Sequence, residues 1–370
     1  MIIVLKGKLK TLDTFAEALA KDSDAIIVDV TNPEEKILPV FDLIDDKTTV
    51  IAFNNTGAGF TLWKQRNVRL YNIVVDHPAY YLNNIESDYY DNYHVLCIDR
   101  KHRDFLKKTY PTYERAFNFL PHGGIDMGGM HAKKDIDILY VGGFRPDEDI
   151  NFALLPFGDT EEFFDFIISY YDTESYVEAY DAVNAYCQKY SYDYSKEQKA
   201  IMTNYVLQSV EYYFTAKRRK ELISYLAECG LKMHICGTPL WKEIAEKHRD
   251  SIIYEGFKTP IECLEFISRA KILVNDLPYF SEGAHERVFN GMLNGAVVLT
   301  NESRYLEERF NDRENILFWD GRSYALAAEK IVDILKNDEH RIGVINKAYS
   351  LVRQDTWQDR LRMILSERFE

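Results

Sequence analysis

Between Ser281 and Ser303 the chain reads SEGAHERVFNGMLNGAVVLTNES, and its polar residues gather at the start of one short helical pattern. Glu286 and Asn290 lie one turn apart with Arg287 beside them, while Val288, Phe289, Met292 and Leu293 recur at helical spacing and should face a core. A helix amino end favours negative charge, so Arg287 there can offset charge developing on a leaving diphosphate. Glu282 can accept hydrogen bonds from hydroxyl groups, and Gly283 and Ala284 leave room for close backbone approach. A plainer reading stays open, in which Glu286 and Arg287 solvate the helix and His285 caps it. Gly295 suits the left-handed end of that helix, and Ala296 to Thr300 then reads as a buried parallel strand.

Other candidates follow strand-like runs. Gly142 and Gly143 end the run Ile138 to Val141, where glycines let backbone approach a diphosphate, and Arg145 can pair with phosphate oxygens. The alternative is a turn glycine pair with a surface arginine. Gly237 opens a second loop on the same edge, and Lys258, after Gly256-Phe257, either reaches phosphate or is a surface lysine. Asp76 and His122 follow runs in the first third and are the candidate general bases for an incoming hydroxyl, although a lone histidine after a strand is more often structural. The nine histidines are dispersed. Asp135-Ile136-Asp137 has D-x-D spacing but precedes a strand, which reads as a charged hinge, so no metal site is expected.

The elements positioning these residues alternate. Ile2 to Leu5, Ala25 to Val30, Thr49 to Phe53, Leu70 to Val75, Val95 to Ile98 and Phe117 to Leu120 are short apolar runs separated by helical patterns such as Thr14 to Ala20 and Glu35 to Ile44. That alternation describes a parallel sheet with crossovers. A polar segment, His131 to Asp137, precedes a second series: Ile138 to Val141, Lys232 to Cys236, Ile252 to Tyr254, Ile272 to Val274, Ala296 to Thr300 and Ile316 to Phe318. The reading gives a Rossmann-like domain over 1–134, a second over 135–355 with a helical segment over about 150–226, and a helix over 356–370 that packs back on the first domain. The last helices are placed at Tyr324 to Leu335 and Glu339 to Glu370.

A chain of 370 residues exceeds one ordinary core, and 46% hydrophobic with 28% charged residues is a globular composition. The net charge of -14 argues against a nucleic-acid partner and obliges any anionic ligand to bind through local cations. Five cysteines lack metal-ligand spacing and cannot all pair, which suits a reducing compartment. No stretch is long enough to span a membrane, and the amino terminus lacks a signal-like pattern, so a cytoplasmic location is expected. The tyrosines from Tyr170 to Tyr194 are expected to pack helices.

The segment His285, Glu286, Arg287, Phe289, Gly295 and Ala296 resembles the H-E-R-x-F-x-x-x-x-x-G-A signature of the CgeB-like, spore-maturation-type glycosyltransferases of the GT-B superfold. The resemblance runs from about Pro121 through Ile138 to Gly143, the Lys217-Arg218-Arg219 helix and Gly256-Phe257. It implies two Rossmann-like parallel-sheet domains facing a cleft, an α/β class with a helical insertion in the second domain. It further implies a metal-independent transferase without a cofactor, taking a nucleotide-sugar donor and a carbohydrate or protein acceptor. Many members of the superfold hold the donor with two glutamates eight positions apart; here Glu282 and Asn290 occupy those places, and Asn keeps a hydrogen-bonding group for a ribose hydroxyl without the charge. A nucleotide-sugar epimerase and a non-catalytic nucleotide-sugar-binding subunit share the architecture and remain alternatives.

Overall fold

The structure, a computed structural model, describes residues 1–32, 37–146, 155–174, 177–276 and 280–369. It forms two compact units, 1–123 with 354–370 and 124–353. Residues 124–134, given to the first domain on the sequence, group with the second unit.

The first unit is built on six parallel strands: β1 (Ile2–Lys6), β2 (Ile26–Asp29), β3 (Thr49–Phe53), β4 (Arg69–Val74), β5 (Tyr93–Cys97) and β6 (Phe117–Phe119), in the order β2-β1-β3-β4-β5-β6. Every residue of β3 is buried, as a strand covered on both faces requires. The helix Lys10–Ala20 turns Leu12, Phe15, Ala16 and Leu19 inward, and Phe15 meets Trp357 of the helix Trp357–Leu365 at 5.2 Å between ring centroids. Of the expected helix from Glu35 to Ile44, residues 35 and 36 lie outside the described residues, and Leu38–Leu43 is a 3-10 helix with Pro39 in its first turn.

The second unit repeats the design with β7 (Ile136–Val141), β8 (Met233–Cys236), β9 (Ile252–Gly256), β10 (Ala270–Val274), β11 (Val297–Asn301) and β12 (Leu317–Trp319), ordered β12-β11-β10-β7-β8-β9 and parallel throughout. Ile138, Tyr140, Ile272 and Val274 pack on one face with Leu222, Leu226 and Trp241, while Leu139 and Leu273 pack on the other with Leu264 and Ile267. Each expected strand therefore exists, within a residue or two of its expected ends. The helical segment contains Thr160–Thr173, Ala179–Tyr190, Lys196–Gln208 and Val210–Glu228; residues 147–154 of the expected segment lie outside the described residues. Its tyrosines do pack helices: the Tyr186 ring lies 5.1 Å from those of Phe163 and Tyr190.

Two expectations need correction. Asp135 to Asp137 is no hinge, because β7 begins at Ile136; Asp135 takes a two-bond contact from Arg269 at 2.9 and 3.0 Å and Asp137 one from Lys271 at 2.6 Å. These pairs tie the amino ends of β7 and β10, away from the carboxyl-end loops. The continuous tail helix from Glu339 divides into Asp338–Val352 and Trp357–Leu365, because Thr356 and Asp359 form a capping box that starts a new helix.

Candidate functional site

In the second sheet β7 leads to β8 on one side, and the chain then crosses from β9 to β10 on the other, so a crevice opens between the carboxyl ends of β7 and β10. Arginine side chains fill it. Arg287, in the first turn of the helix Glu286–Leu293, donates from Nη1 to the Val141 carbonyl at 2.6 Å, from Nε to Asn275 Oδ1 at 2.9 Å and from Nη2 to His285 Nε2 at 3.0 Å. Arg219 donates from Nη1 to the Gly143 carbonyl and from Nε to Asp276 Oδ2 at 3.3 Å, and Arg218 Nη2 lies 2.9 Å from Asp276 Oδ1. Asp276 is only 1% exposed.

Among the described residues Arg287 thus bonds neutral acceptors only, and burial pulls its guanidinium below its ordinary value. An arginine at this depth stays charged, and its charge is carried by dipoles instead of a directly bonded carboxylate. Arg218 and Arg219 both pair with the buried Asp276, Arg287 lies beside them, and Glu286 approaches through His285, so three guanidinium groups stand against two carboxylates within a protein of net charge -14.

His285 orients the arginine. Its Nδ1 contacts the Glu286 carboxylate, and its Nε2 faces Arg287 Nη2, a donor; the ring proton therefore belongs on Nδ1. The backbone N–H of Arg287 also lies 3.3 Å from Nδ1, but a protonated Nδ1 gives its hydrogen to Glu286 and cannot accept that amide, so the orienting role excludes the capping role read from the sequence. The solvating role is absent as well, since the arginine turns inward.

The glycines serve close packing. A side chain on Gly142 would meet Arg287 Nη1, one on Gly143 would meet Thr238, and one on Gly237 would collide with the Gly142 carbonyl oxygen. That carbonyl already accepts from Trp241 Nε1 at 2.8 Å. The loops after β7 and β8 are pressed together, with Gly142 against the arginine.

The other candidates divide. Glu282 pairs with Arg304 at 3.0 Å, and the Gly283 carbonyl accepts from Ser303 Oγ at 2.8 Å, so the loop before the helix is anchored to the end of β11. Arg145 is exposed and lies over the Tyr212 ring at 3.9 Å; Lys258 lies over Phe266 at 5.4 Å. Asn290 is 7% exposed, and its Oδ1 accepts from the Ile125 backbone N–H at 2.8 Å. With Asn294, which accepts from Met127 N at 2.9 Å and donates to the Ile125 carbonyl at 2.8 Å, it clasps an extended segment of the same unit. The side-chain oxygen of Asn290 is thus engaged within the unit.

Asp76 and His122 belong to the first unit. Asp76 is exposed after β4 and accepts from Asn54 Nδ2 at 2.8 Å and the Tyr81 hydroxyl at 3.1 Å. His122 is 3% exposed between the rings of Phe15 and Trp357, with Nδ1 3.0 Å from the Gly123 carbonyl. Arg360 donates to the His122 carbonyl at 3.0 Å. His77, next to Asp76 in the sequence, is also enclosed, and burial lowers its ring to about 3.

Sequence reasoning passed over Asn275 and Asp276 and kept Arg218 and Arg219 only as part of a resemblance. The polar pair directly after the run Ile272 to Val274 was the available signal.

Residues 218–366 match a protein family described as Glycosyl transferase-like. No functionally curated protein matches the sequence. Among solved structures, a glycosyltransferase from Rickettsia africae ESF-5 is 10% identical, with a TM-score of 0.56 over 99% of this chain and 97% of that one. Anabaena Alr3699/HepE in complex with UDP and glucose is 9% identical, with a TM-score of 0.52 over 99% and 98%. A variant of S. aureus TarM in complex with Fondaparinux, alpha-GlcNAc-glycerol and UDP is 12% identical, with a TM-score of 0.47; the match covers 89% of this chain but only 57% of that longer one. Two six-stranded parallel sheets, flanked by helices and similar over nearly their whole length to solved glycosyltransferase structures, give this chain the two-domain α/β fold of the GT-B glycosyltransferases.

Proposed function

We propose that the chain is a nucleotide-sugar glycosyltransferase of the CgeB-like kind whose second unit holds the donor diphosphate in the crevice between β7 and β10. The observation that carries the reading is Arg287, a partly buried cation bonded to the Val141 carbonyl and the Asn275 amide oxygen beside a glycine turn. A phosphate arriving there completes an ion pair that the described residues leave open. The Glycosyl transferase-like match over 218–366, and a fold shared with a protein solved with UDP and glucose, support the same reading.

In the transfer, the bond between the sugar's anomeric carbon and the phosphate oxygen breaks, and one to an acceptor hydroxyl oxygen forms. The hydroxyl proton passes to a general base, and the nucleoside diphosphate departs with its charge offset by Arg287 and Arg219, the work that a cation performs in metal-dependent transferases. Glu282, at the loop anchored on Arg304, is the candidate for sugar hydroxyls. Of the two base candidates Asp76 is the better, because it is exposed at a strand's carboxyl end while the His122 ring is enclosed. The acceptor is a carbohydrate or protein hydroxyl, and five cysteines without disulfides suit work in the cytoplasm.

A thermal-shift screen of UDP-, GDP-, ADP-, CMP- and dTDP-sugars tests the reading, UDP-glucose first, followed by assay of donor consumption with and without acceptors. One donor is expected to raise the melting temperature and to release its nucleoside diphosphate. A screen in which no donor binds or is consumed ends the proposal, and conversion of the sugar without acceptor points to an epimerase.

A further inference from the structure

A cavity of about 450 Å³ opens at the carboxyl ends of β11 and β12, within the second unit, and neither Arg287 nor Asn290 lines it. The helices Thr160–Thr173 and Val210–Glu228 wall it, with the rings of Tyr171, Phe214, Phe280 and Tyr324 on its surface. Glu211, Phe214, Arg218 and Glu221 recur at three- and four-residue steps, so one helix face supplies the floor.

Its polar groups are ordered. The Tyr171 hydroxyl donates to Glu211 at 2.7 Å, and the Tyr324 hydroxyl donates to Glu221 at 2.7 Å. These two pairs sit ten residues apart on the helix, about 15 Å, a length that takes more than one sugar ring. Ser281 lines the cavity and is 7% exposed, and its enclosed Oγ has no hydrogen-bond partner among the described residues.

Six carboxyl side chains line the cavity against three cations, each cation is engaged by a neighbour, and burial raises one of the six, Glu211, well above the usual carboxylate range. Arg218 is held by Asp276 at 2.9 Å, Arg322 donates to the Glu174 carbonyl at 2.7 Å, and Lys217 lies over the Phe214 ring at 5.9 Å. Glu302 feels the negative surroundings: partial burial first, then Glu307 and Asp320, push its carboxyl above the usual range.

We propose that this cavity binds a short saccharide carrying an amino group. Aromatic walls suit the C–H faces of pyranose rings, Ser281 and the tyrosine-carboxylate pairs suit hydroxyls, and the surplus of carboxylates draws an ammonium group. The site is a second one, beside the arginine crevice, and its occupancy does not require that the crevice bind a nucleotide.

Titration calorimetry on the full chain, with a β-1,4-linked glucosamine disaccharide, its N-acetylated form and putrescine, tests the assignment. The free-amine disaccharide is expected to bind about tenfold tighter than either comparison compound. Ser281→Ala and Tyr324→Phe, both checked for unchanged melting, each weaken it by about three- to tenfold. Saturating UDP leaves its affinity unchanged. No binding, equal binding of the N-acetylated disaccharide or putrescine, insensitivity to both substitutions, or competition by UDP overturns the assignment. Failure of UDP to bind at all counts against the donor reading and leaves this one standing.

Discussion

The Nη1 atom of Arg287 donates to the carbonyl of Val141 at 2.6 Å, joining residues 146 positions apart across the crevice between β7 and β10. The same guanidinium spans to Asn275 on the neighbouring strand's end, so one side chain bridges both lips. A planar fork with several donors makes this possible, and an ammonium does not reproduce it. Arg287→Ala is therefore expected to lower turnover on the order of 10² to 10³-fold, the cost of removing a donor aimed at developing charge. Arg287→Lys recovers only part, since it restores charge without the fork. Steady-state kinetics with the identified donor check this, and near-normal turnover of Arg287→Ala removes the residue from the chemistry.

The Asn290 and Asn294 pair leads to the opposite expectation. Both oxygens accept backbone amides of the extended segment, from Ile125 at 2.8 Å and Met127 at 2.9 Å, and Asn294 is fully buried. Asn294→Ala strands the Met127 amide and the Ile125 carbonyl, at a cost of about 2 to 4 kcal/mol. Denaturant melts should register that loss while the donor Kd, measured well below the melting temperature, stays within about twofold. A large change in Kd for a still-folded Asn290→Ala protein instead restores Asn290 as a ligand contact.

How much of this was readable in the chain depends on how far each signal reaches. The strands were legible because a parallel sheet buries both faces, and short runs such as Thr49 to Phe53 are apolar throughout. The helix at Glu286 was legible because Val288, Phe289, Met292 and Leu293 repeat at its period and Gly295, with φ of 75°, stops it. The Asn290 role was not, because its partner Ile125 lies 165 residues earlier and no local pattern records the pairing. Whether His122 was a base or a structural histidine was undecided for the same reason: Phe15, Trp357 and Arg360, which enclose it, come from both ends of the chain. The division at Thr356 was local and visible, a Thr-x-x-Asp box hidden inside a convincing helical period.

Glycine substitutions separate packing from conformational freedom. Gly237 has no room for a side chain, because a methyl group would overlap the Gly142 carbonyl and press on Trp241, so Gly237→Ala is expected to cost about 1 to 3 kcal/mol by overpacking. Gly343 sits inside the helix Asp338–Val352 with nothing near the position a methyl would take. Gly343→Ala should stabilise by about 0.5 to 1 kcal/mol, through reduced freedom of the unfolded chain. Thermal melts of the two variants should move in opposite directions, and equal shifts contradict the crowding at Gly237.

The first unit carries a built-in sensitivity to acid at His77. Its ring is 5% exposed, packs 4.5 Å from His102 and 5.1 Å from Phe105, and accepts the Ala79 amide at Nδ1. Burial lowers its pKa from 6.5 to about 3, so the unfolded chain binds a proton there at pH values where the folded one does not. Stability from this group is complete above pH about 6.5 and is lost progressively as pH falls toward 3, by an amount on the order of a few kcal/mol. His77→Asn keeps an acceptor for Ala79 but does not titrate. It should therefore be less stable than the parent at pH 7, through lost ring packing, and should lose less additional stability between pH 6.5 and 4. Urea melts across that range decide the matter: parallel pH profiles for parent and variant would show that His77 is not the group responsible.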